Sequence, residues 1–273
     1  MVSTANSIQK RDSQPDLRTD GTDARPAPVV SMRGVYRRFK TPSGPVVQAL
    51  QDINLDIFPG EFVSIIGPSG CGKSTLIRIA GDLLPVSDGT VKINGHPPHE
   101  ARLKRDYGMV FQAPTLYDWR TVIKNIEMPL EIMGWSADKR QARAGQMLKL
   151  VELDDFANHY PWQLSGGMQQ RVAIARALTF EPSILFMDEP FGALDEITRE
   201  RMNIELLKIW EKTRTTVIFI THSIHEAVYL SSRIVVMSPR PGRIVDDITI
   251  ELPYPRAPEV RDSEAFFHMV SRV

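Results

Sequence analysis

Two kinds of hydrophobic pattern alternate along the chain, one of period two and one of helical period. Apolar and polar residues alternate over 29–39 and again over 46–57, which predicts two or three antiparallel strands. Uninterrupted apolar runs predict further strands, and the first of these runs is typical of a buried parallel strand. The runs lie at 61–66, 184–187, 216–220 and 234–237, and shorter strands are expected at 91–94 and 242–245.

Helical spacing fills the segments between these strands. Residues 74–80, which follow the first apolar run, predict a helix, and 196–212 predicts another between two strands. Over about 114–164 the α/β alternation stops, and apolar residues three or four positions apart predict helices alone. No internal repeat is present. The pattern therefore predicts one α/β domain over 29–260 that carries a helical insertion at about 114–164.

Both ends of the chain are expected to lie outside this domain. Residues 1–28 are polar with charges of both signs, and they cannot bury enough apolar surface to offset the entropy of ordering. A disordered tail is therefore predicted there; a regulatory or docking tail is the less favoured alternative. Residues 261–273 are expected to form a second tail.

Charge and composition exclude several classes of protein. The chain has 33 basic and 33 acidic side chains, and this balance argues against a protein whose main role is to grip nucleic acid. No stretch approaches the roughly 18 consecutive apolar residues that a membrane span requires. The single cysteine, Cys71, excludes an intrachain disulfide framework and fits a reducing compartment. We therefore expect a soluble intracellular chain that is able to dock on a membrane protein.

A glycine-rich loop follows the first buried strand. Residues 67–74 read GPSGCGKS and fit the pattern G-x-x-x-x-G-K-[ST], between a predicted strand and a predicted helix. Glycines let such a loop fold tightly, so that successive backbone N–H groups point at phosphate oxygens. Lys73 is expected to reach the β- and γ-phosphates, and the Ser74 hydroxyl is expected to ligate Mg²⁺. The loop predicts that the chain binds a nucleoside triphosphate.

Two carboxylates end the strand predicted at 184–187. Asp188, at the carboxyl end of a buried strand, is placed to hold Mg²⁺, and Glu189 is then able to act as a general base on an attacking water. The alternative is a buried strand that simply ends in a solvated acidic turn. The phosphate-binding loop elsewhere in the chain favours the catalytic interpretation.

The most specific motif is LSGGMQQR at residues 164–171. A serine and two glycines begin a helix that is predicted from Met168 to Thr179, and this construction forms a second anion-binding helix terminus. It lies 92 positions after Lys73, counted from Ser165 (165 − 73). A second phosphate-binding terminus needs a second surface to which a phosphate is presented, although a helix start can also be purely structural.

These motifs together resemble the nucleotide-binding subunits of ATP-binding cassette (ABC) transporters, over about residues 29–245. The resemblance implies a P-loop NTPase core of RecA-like α/β fold with an antiparallel β subdomain and a helical insertion. It also implies that Gln112 contacts Mg²⁺, that His222 lies near the γ-phosphate, and that Phe39 stacks on adenine, with Tyr36 as the competing aromatic. The remaining residues that it implies for ATP are Gly67, Pro68, Ser69, Gly70, Cys71, Gly72, Lys73, Ser74, Thr75, Ser165, Gly166, Gly167 and Asp195.

The same resemblance implies partners and a cellular location. Two copies are expected to associate head to tail, each ATP lying between one chain's phosphate loop and the other chain's LSGG helix. A separate transmembrane permease is expected to bind at the helical insertion, and a substrate-binding protein acts through it, so that the chain lies peripherally at the cytoplasmic face of the membrane. No nucleic acid partner is expected.

The sequence around the motifs resembles that of the ATP-binding subunits of nitrate, sulfonate and taurine importers. This subfamily resemblance rests on residues 117–122, 191–196, 221–227 and 237–243, and the form Asp118-Trp119-Arg120 leans toward relatives that serve pyrimidine-type thiamine precursors. A chain that ends at residue 273 is also expected to lack the large C-terminal regulatory domain of sugar-importer ATPases. The cargo itself stays open, because the ATPase does not touch it.

Two alternatives from other classes remain at this point. A soluble ABC ATPase of DNA repair would usually carry a long coiled-coil insertion, and one that acts on the ribosome would carry two cassettes and a basic linker; this chain has neither. An unrelated P-loop kinase would leave the LSGGMQQR motif and His222 unexplained. The importer ATPase is therefore the preferred hypothesis.

Overall fold

The computed structural model describes residues 26–40 and 44–273, so the tail predicted at 1–28 lies outside the described residues except for its last three. The strands of the described part are β1 (Val30–Phe39), β2 (Val47–Ile57), β3 (Phe62–Ile66), β4 (Asp88–Ile93), β5 (Tyr107–Val110), β6 (Ile184–Asp188), β7 (Thr216–Ile220), β8 (Arg233–Met237) and β9 (Ile244–Thr249). The helices are α1 (Lys73–Ala80), α2 (Pro98–Lys104), α3 (Val122–Ile132), α4 (Ala137–Leu150), α5 (Gly166–Leu178), α6 (Glu196–Thr213), α7 (Ile224–Leu230) and α8 (Glu264–Arg272).

The strands of the described residues form two sheets. The smaller is antiparallel with the order β2-β1-β4, and the larger has the order β5-β6-β7-β3-β8-β9. Within the larger sheet every neighbouring pair is parallel except β8 and β9. The α/β class and the antiparallel subdomain predicted from the sequence are therefore confirmed. The pairing of β4 with β1 was not predicted, because strand partners distant in sequence leave no local signal.

The central strands are buried along their whole length. Every residue of β3, β6 and β7 is buried, which is why these segments read as continuous apolar runs instead of alternating ones. One face of this sheet packs against α1 and the small antiparallel sheet, and the other packs against α5, α6 and α7. The carboxyl ends of β5, β6, β7, β3 and β8 meet along one edge. In open parallel sheets ligands bind in the crevice beyond this edge.

The helical insertion predicted at about 114–164 contains α3 and α4. These helices pack against each other and against α5, and Ile126, Leu148 and Ile174 carry that contact into the main hydrophobic core. The insertion is thereby joined to the helix that begins at the LSGG motif, and a displacement of one is transmitted to the other through packed side chains. In the described part of the chain no helix combines the length and the apolarity that crossing a membrane requires.

The end of the chain differs from the tail expected at 261–273. This segment contains α8, whose Phe266 and Met269 are 1% and 6% exposed and belong to the main core. Phe266 and Met269 lie three positions apart, so they point from one face of the helix toward α7. The prediction failed because the segment is too short for its periodicity to stand out from the polar residues around it.

The segment between β9 and α8 caps α7 at its carboxyl end. Arg256 is 4% exposed, and its Nη1 donates to the carbonyl oxygens of Val228, Tyr229 and Ser231, each at 2.9 Å. The Tyr254 hydroxyl donates to the carbonyl of Leu230 at 2.7 Å, and burial raises the pKa of Tyr254 to about 12, so it remains a donor at neutral pH. These side chains satisfy carbonyl groups that a helix end otherwise leaves unpaired.

Substitution of Arg256 by alanine is expected to lower the free energy of unfolding by about 3 kcal/mol, because it leaves several buried carbonyl groups without a donor. Urea unfolding measures this change. The control is Arg261→Ala, since Arg261 stacks over the Tyr229 ring at 4.0 Å but donates no such set of bonds; about 1 kcal/mol is expected for it. A smaller loss for Arg256→Ala than for Arg261→Ala would contradict the capping role.

Candidate functional site

The glycine-rich loop connects β3 to α1 and closes over a buried lysine. Gly67 and Gly72 have φ of 154° and 114°, and a Cβ at Gly72 would lie 2.7 Å from Leu50 Cδ2. Position 72 requires glycine both for this backbone conformation and for the close approach to Leu50. Lys73 is 5% exposed, and its Nζ donates to the carbonyl oxygens of Gly67 at 2.8 Å and Pro68 at 3.2 Å. The loop is thus preformed around the ammonium group.

A cavity of about 480 Å³ opens over this loop. The Phe39 ring lies at one part of its wall, and the guanidinium of Arg37 stands 4.5 Å from that ring. Tyr36, the competing aromatic, is absent from the lining of the described chain. Cys71 is not part of the cavity lining: its side chain is fully buried in the core, where its Sγ lies 3.9 Å from Lys73 Nζ. The lining residues are Phe39, Val47, Ala49, Ser69, Gly70, Gly72, Lys73, Ser74, Thr75, Glu189 and Arg240.

The carboxylates that end β6 lie beside the start of α1. The Ser74 hydroxyl donates to Asp188 Oδ1 at 2.6 Å, and Arg78 Nη2 lies 3.9 Å from the other oxygen of the same carboxylate. Asp188 is 8% exposed, whereas Glu189 reaches the cavity. Glu189 has a φ of 47°, and its N–H donates to the carbonyl of Ile220 on β7 at 3.1 Å. This positive φ turns the chain sharply at the end of the strand.

Two further predicted residues approach the Glu189 carboxylate. His222, which follows β7, has its Nδ1 3.5 Å from Glu189 Oε2. Gln112, which follows β5, lies near Gly192: a Cβ placed on that glycine would be 3.3 Å from Gln112 Nε2 and 3.6 Å from Glu189 Oε2. The loops after four neighbouring strands, β5, β6, β7 and β3, therefore bring their polar side chains to one place.

A buried acid behind His222 was missed in the sequence. Glu226 is 5% exposed; its Oε2 accepts a short hydrogen bond from Thr221 Oγ1, and its N–H donates to Ser223 Oγ at 3.3 Å. Ser223 N–H in turn donates to Thr221 Oγ1 at 3.0 Å. The Glu226 carboxyl group thus holds Thr221, and Ser223 is held by the Thr221 hydroxyl and the Glu226 backbone N–H. The sequence did contain a signal for Glu226: it is an acidic residue in the first turn of a helix, three positions after the N-cap Ser223.

The LSGG motif lies in a second cluster with the start of α6. Ser165 Oγ accepts from the N–H of Met168, and Asp195 Oδ1 accepts from the N–H of Thr198 at 3.0 Å, a bond that lowers the pKa of the Asp195 carboxyl. A Cβ at Gly167 would lie 3.1 Å from Thr198 Cγ2, so the two helix starts pack together. Within the described chain, the wall of the cavity includes none of Ser165, Gly166, Gly167 and Asp195. The predicted site residues therefore form two clusters.

Arg240, in the loop after β8, is a second residue that the sequence analysis did not assign to the site. It lines the cavity, and its guanidinium donates to the Gly70 carbonyl from Nη2 at 3.2 Å and from Nε at 3.3 Å. In the sequence it stood out only as part of the stretch 237–243 that carries the subfamily resemblance.

Comparison with known proteins identifies the family. A family model described as ABC transporter matches residues 50–192. The taurine import ATP-binding protein TauB of Jannaschia sp. is 46% identical over 79% of this chain and 80% of its own length. TauB of Rhizobium johnstonii is 49% identical over 76% of this chain and 78% of its own length. The chain belongs to the ABC transporter family, as an ATP-binding subunit with relatives of the taurine type.

Solved structures agree with this assignment. The dimeric structure of the bacterial ABC transporter cassette MJ0796 aligns with a TM-score of 0.69 at 39% identity and covers 82% of this chain and 100% of the other. Its dimeric post-hydrolysis form, bound to ADP and phosphate, aligns with a TM-score of 0.71 at 38% identity and the same coverage. The expected fold is confirmed, and the chain is an ATPase of this class.

The raised pKa of Glu226 predicts a pH dependence of stability. Burial raises this pKa above the ordinary 4.5, against the weaker opposite effects of the Thr221 hydroxyl, Arg199, Asn203 and His222. The folded chain therefore holds this proton more tightly than the unfolded chain does, and the contribution of Glu226 to stability is lost as the pH rises above 4.5.

Glu226→Gln removes this ionisation while it keeps an oxygen for the Thr221 bond. Its stability relative to the wild type should therefore rise with pH, and thermal unfolding between about pH 4 and pH 8 measures the difference. Glu251→Gln, the same change at an exposed position, is the control and should follow the wild-type profile. A constant offset between Glu226→Gln and the wild type at every pH would contradict the prediction.

Proposed function

We propose that the chain is the ATP-hydrolysing subunit of an importer and works as a head-to-tail homodimer beneath a separate transmembrane permease. The observation that carries this proposal is the separation of the site residues into two clusters. One cluster has a phosphate loop with catalytic carboxylates, and the other has two capped helix starts at Ser165 and Asp195. Each is suited to one side of a nucleotide, because helix N-termini bind anions.

In this proposal ATP binds with its base against Phe39 and its phosphates along residues 67–75. The cavity volume and its lining support this pose, since it joins an aromatic wall to the loop that presents backbone N–H groups. Lys73 supplies the buried positive charge for the β- and γ-phosphates. Cys71, whose thiol is buried, would contribute its backbone alone.

The residues at the end of β6 suit a magnesium ion. Ser74 and Asp188 offer oxygen donors 2.6 Å apart, and Mg²⁺ prefers hard oxygen ligands from one or two carboxylates together with phosphate. We assign Ser74, Asp188 and the Gln112 side chain as its protein ligands. When bound there, the ion would neutralise part of the phosphate charge.

Hydrolysis is assigned to Glu189 with His222. Glu189 lines the cavity, and its carboxylate is the group there that can accept a proton from water. His222, 3.5 Å from that carboxylate, orients it and can donate a hydrogen bond toward the terminal phosphate. Thr221 and Glu226 keep the histidine backbone in place.

The second copy would supply the LSGG helix. Ser165, Gly166 and Gly167 begin α5, and the two glycines let its N-terminus pack closely against Leu194 and Thr198. The terminus presents the positive end of the helix dipole. Asp195 lies beside it at the start of α6. A symmetric pair would place each of these termini against the other chain's phosphate loop and would complete two equivalent sites. The structure of the MJ0796 cassette, with which this chain aligns at 39% identity, is dimeric, which supports a paired arrangement.

An exposed aromatic surface supports a docking face for the permease. Trp119 is 73% exposed and lies 4.8 Å from the Tyr117 ring, and Trp162 is 70% exposed and stacks with Tyr160. The two pairs are neighbours, because the N–H groups of 122 and 123 donate to the carbonyls of 159 and 157. Patches of exposed apolar side chains mark protein interaction sites. Buried Asn125 shapes the 117–121 loop, since its Nδ2 donates to three of that loop's carbonyl oxygens.

We assign the cargo to the small anions of the nitrate, sulfonate and taurine class. TauB relatives at 46% and 49% identity support this class over the pyrimidine-type thiamine precursors that the form Asp118-Trp119-Arg120 favours. A substrate-binding protein would deliver the cargo to the permease from the other side of the membrane. The chain itself would lie at the cytoplasmic face of the membrane, held there by the permease.

Glu189→Gln is expected to lower ATP turnover by roughly 10²- to 10⁴-fold, because the general base is lost. ATP should still bind, so the variant should accumulate as an ATP-dependent dimer. Light scattering with and without ATP measures the dimer, and phosphate release measures turnover. Lys73→Ala in the same background is the control and should stay monomeric. A Glu189→Gln chain that is only monomeric in saturating ATP would overturn the shared site.

Trp119→Ala is expected to reduce transport while basal ATPase activity is kept, because the side chain is exposed and does not belong to the hydrophobic core. Uptake into proteoliposomes that contain the permease, and phosphate release by the free subunit, measure the two activities. Phe267→Ala, which removes another exposed aromatic at α8, is the control and should leave both unchanged. An equal loss of both activities in Trp119→Ala would refute the docking role.

A further inference from the structure

The loop between β8 and β9, residues 238–243, is built against the phosphate loop. β8 is the parallel neighbour of β3, so its carboxyl end lies at the same edge of the sheet. A Cβ at Gly67 would lie 2.7 Å from the Met237 carbonyl, and a Cβ at Gly242 would lie 2.1 Å from the Cys71 carbonyl. Only glycine permits these two close approaches.

The same loop is also tied to the small sheet. The Gly242 N–H donates to the Ala49 carbonyl at 2.9 Å, and the Gly242 carbonyl accepts from the N–H of Gln51 at 2.9 Å. Ser238 closes the loop, because its N–H donates to the Arg243 carbonyl at 2.9 Å. The loop is thereby held between the wall near Phe39 and the phosphate loop.

Arg240 projects from this rigid loop to the rim of the cavity. Its Nη2 and Nε donate to the Gly70 carbonyl of the phosphate loop. A guanidinium has five N–H donors, so this single acceptor leaves others free. Arg240 is exposed, and over residues 26–40 and 44–273 no carboxylate lies within 4.0 Å of it. A cation without a counter-charge therefore stands at the mouth of an anion-binding cavity.

We infer that Arg240 is a nucleotide-binding residue, which contacts the polyphosphate of bound ATP as a second cation beside Lys73. This inference rests on the proposed nucleotide site. Arginine suits the role because its planar fork binds phosphate oxygens through paired donors, while its bond to Gly70 holds it in place. Loops after five adjacent parallel strands, β5, β6, β7, β3 and β8, then contribute to one site.

Arg240→Gln is expected to weaken ATP binding by about tenfold, because a charge-assisted contact to phosphate is lost. Equilibrium titration with MgATP at a protein concentration that keeps the chain monomeric measures the affinity. Arg240→Lys should lie between the two, since it keeps the charge but loses the fork. The matched control is Arg243→Gln, which removes the same charge three residues away; the Arg243 Nη2 donates to Gln51 Oε1 at 2.8 Å and lies outside the cavity lining.

Several outcomes would overturn the assignment. Wild-type affinity in Arg240→Gln, with affinity lost in Lys73→Ala, would reduce Arg240 to a structural cap on Gly70 while the proposed function stands. Equal weakening in Arg240→Gln and Arg243→Gln would show an effect of net charge alone. If Arg240→Gln leaves the ATP affinity unchanged but abolishes the ATP-dependent dimer of the Glu189→Gln chain, the Arg240 guanidinium contacts the partner chain instead of the nucleotide. Wild-type binding in Lys73→Ala would instead refute the proposed nucleotide site itself.

Discussion

The parallel pairing of β6, β7, β3 and β8 is the constraint on which the site depends. β6, β7 and β3 are buried throughout and β8 is buried at three of its five residues. All four share one direction, so each of them ends at the same edge of the sheet. Asp188, His222, Lys73 and Arg240 lie 167 positions apart at most in sequence (240 − 73), yet the shared edge brings their loops to one site. A slip of one residue in a strand would move its terminal side chain to the opposite face, because strand side chains alternate with period two.

Short polar links turn this edge into a positioned site. The Ser74–Asp188 bond joins the start of α1 to the end of β6, and the Glu189–His222 approach joins the ends of β6 and β7. Glu226 then holds the backbone around His222 from inside the protein. Such groups are expensive to bury and stable only when they are paired, so they maintain a single arrangement better than apolar contacts do. The capping of α7 by Arg256 supports the same helix at its other end.

The arrangement also explains how chemistry could be coupled to movement. The helices α3 and α4 pack on α5, and α5 begins at the LSGG motif, so the aromatic surface at Trp119 and the second cluster belong to one packed unit. In the proposed dimer, a nucleotide that joins the phosphate loop of one chain to this unit in another would shift the surface proposed for the permease. Packed cores transmit such shifts because they are close to crystalline density.

The sequence by itself determined the local chemistry of this protein. The phosphate loop, the paired carboxylates after β6 and the LSGG helix start are contiguous motifs, each defined by backbone geometry over fewer than ten residues, and they specified the fold class and the ATPase. Tertiary structure decided what depends on distant neighbours. It placed Phe39 in the wall and Tyr36 outside it, buried the end of the chain through Phe266, and brought Arg240 to the cavity. These outcomes follow from strand order and packing, which leave no periodic trace in a single sequence.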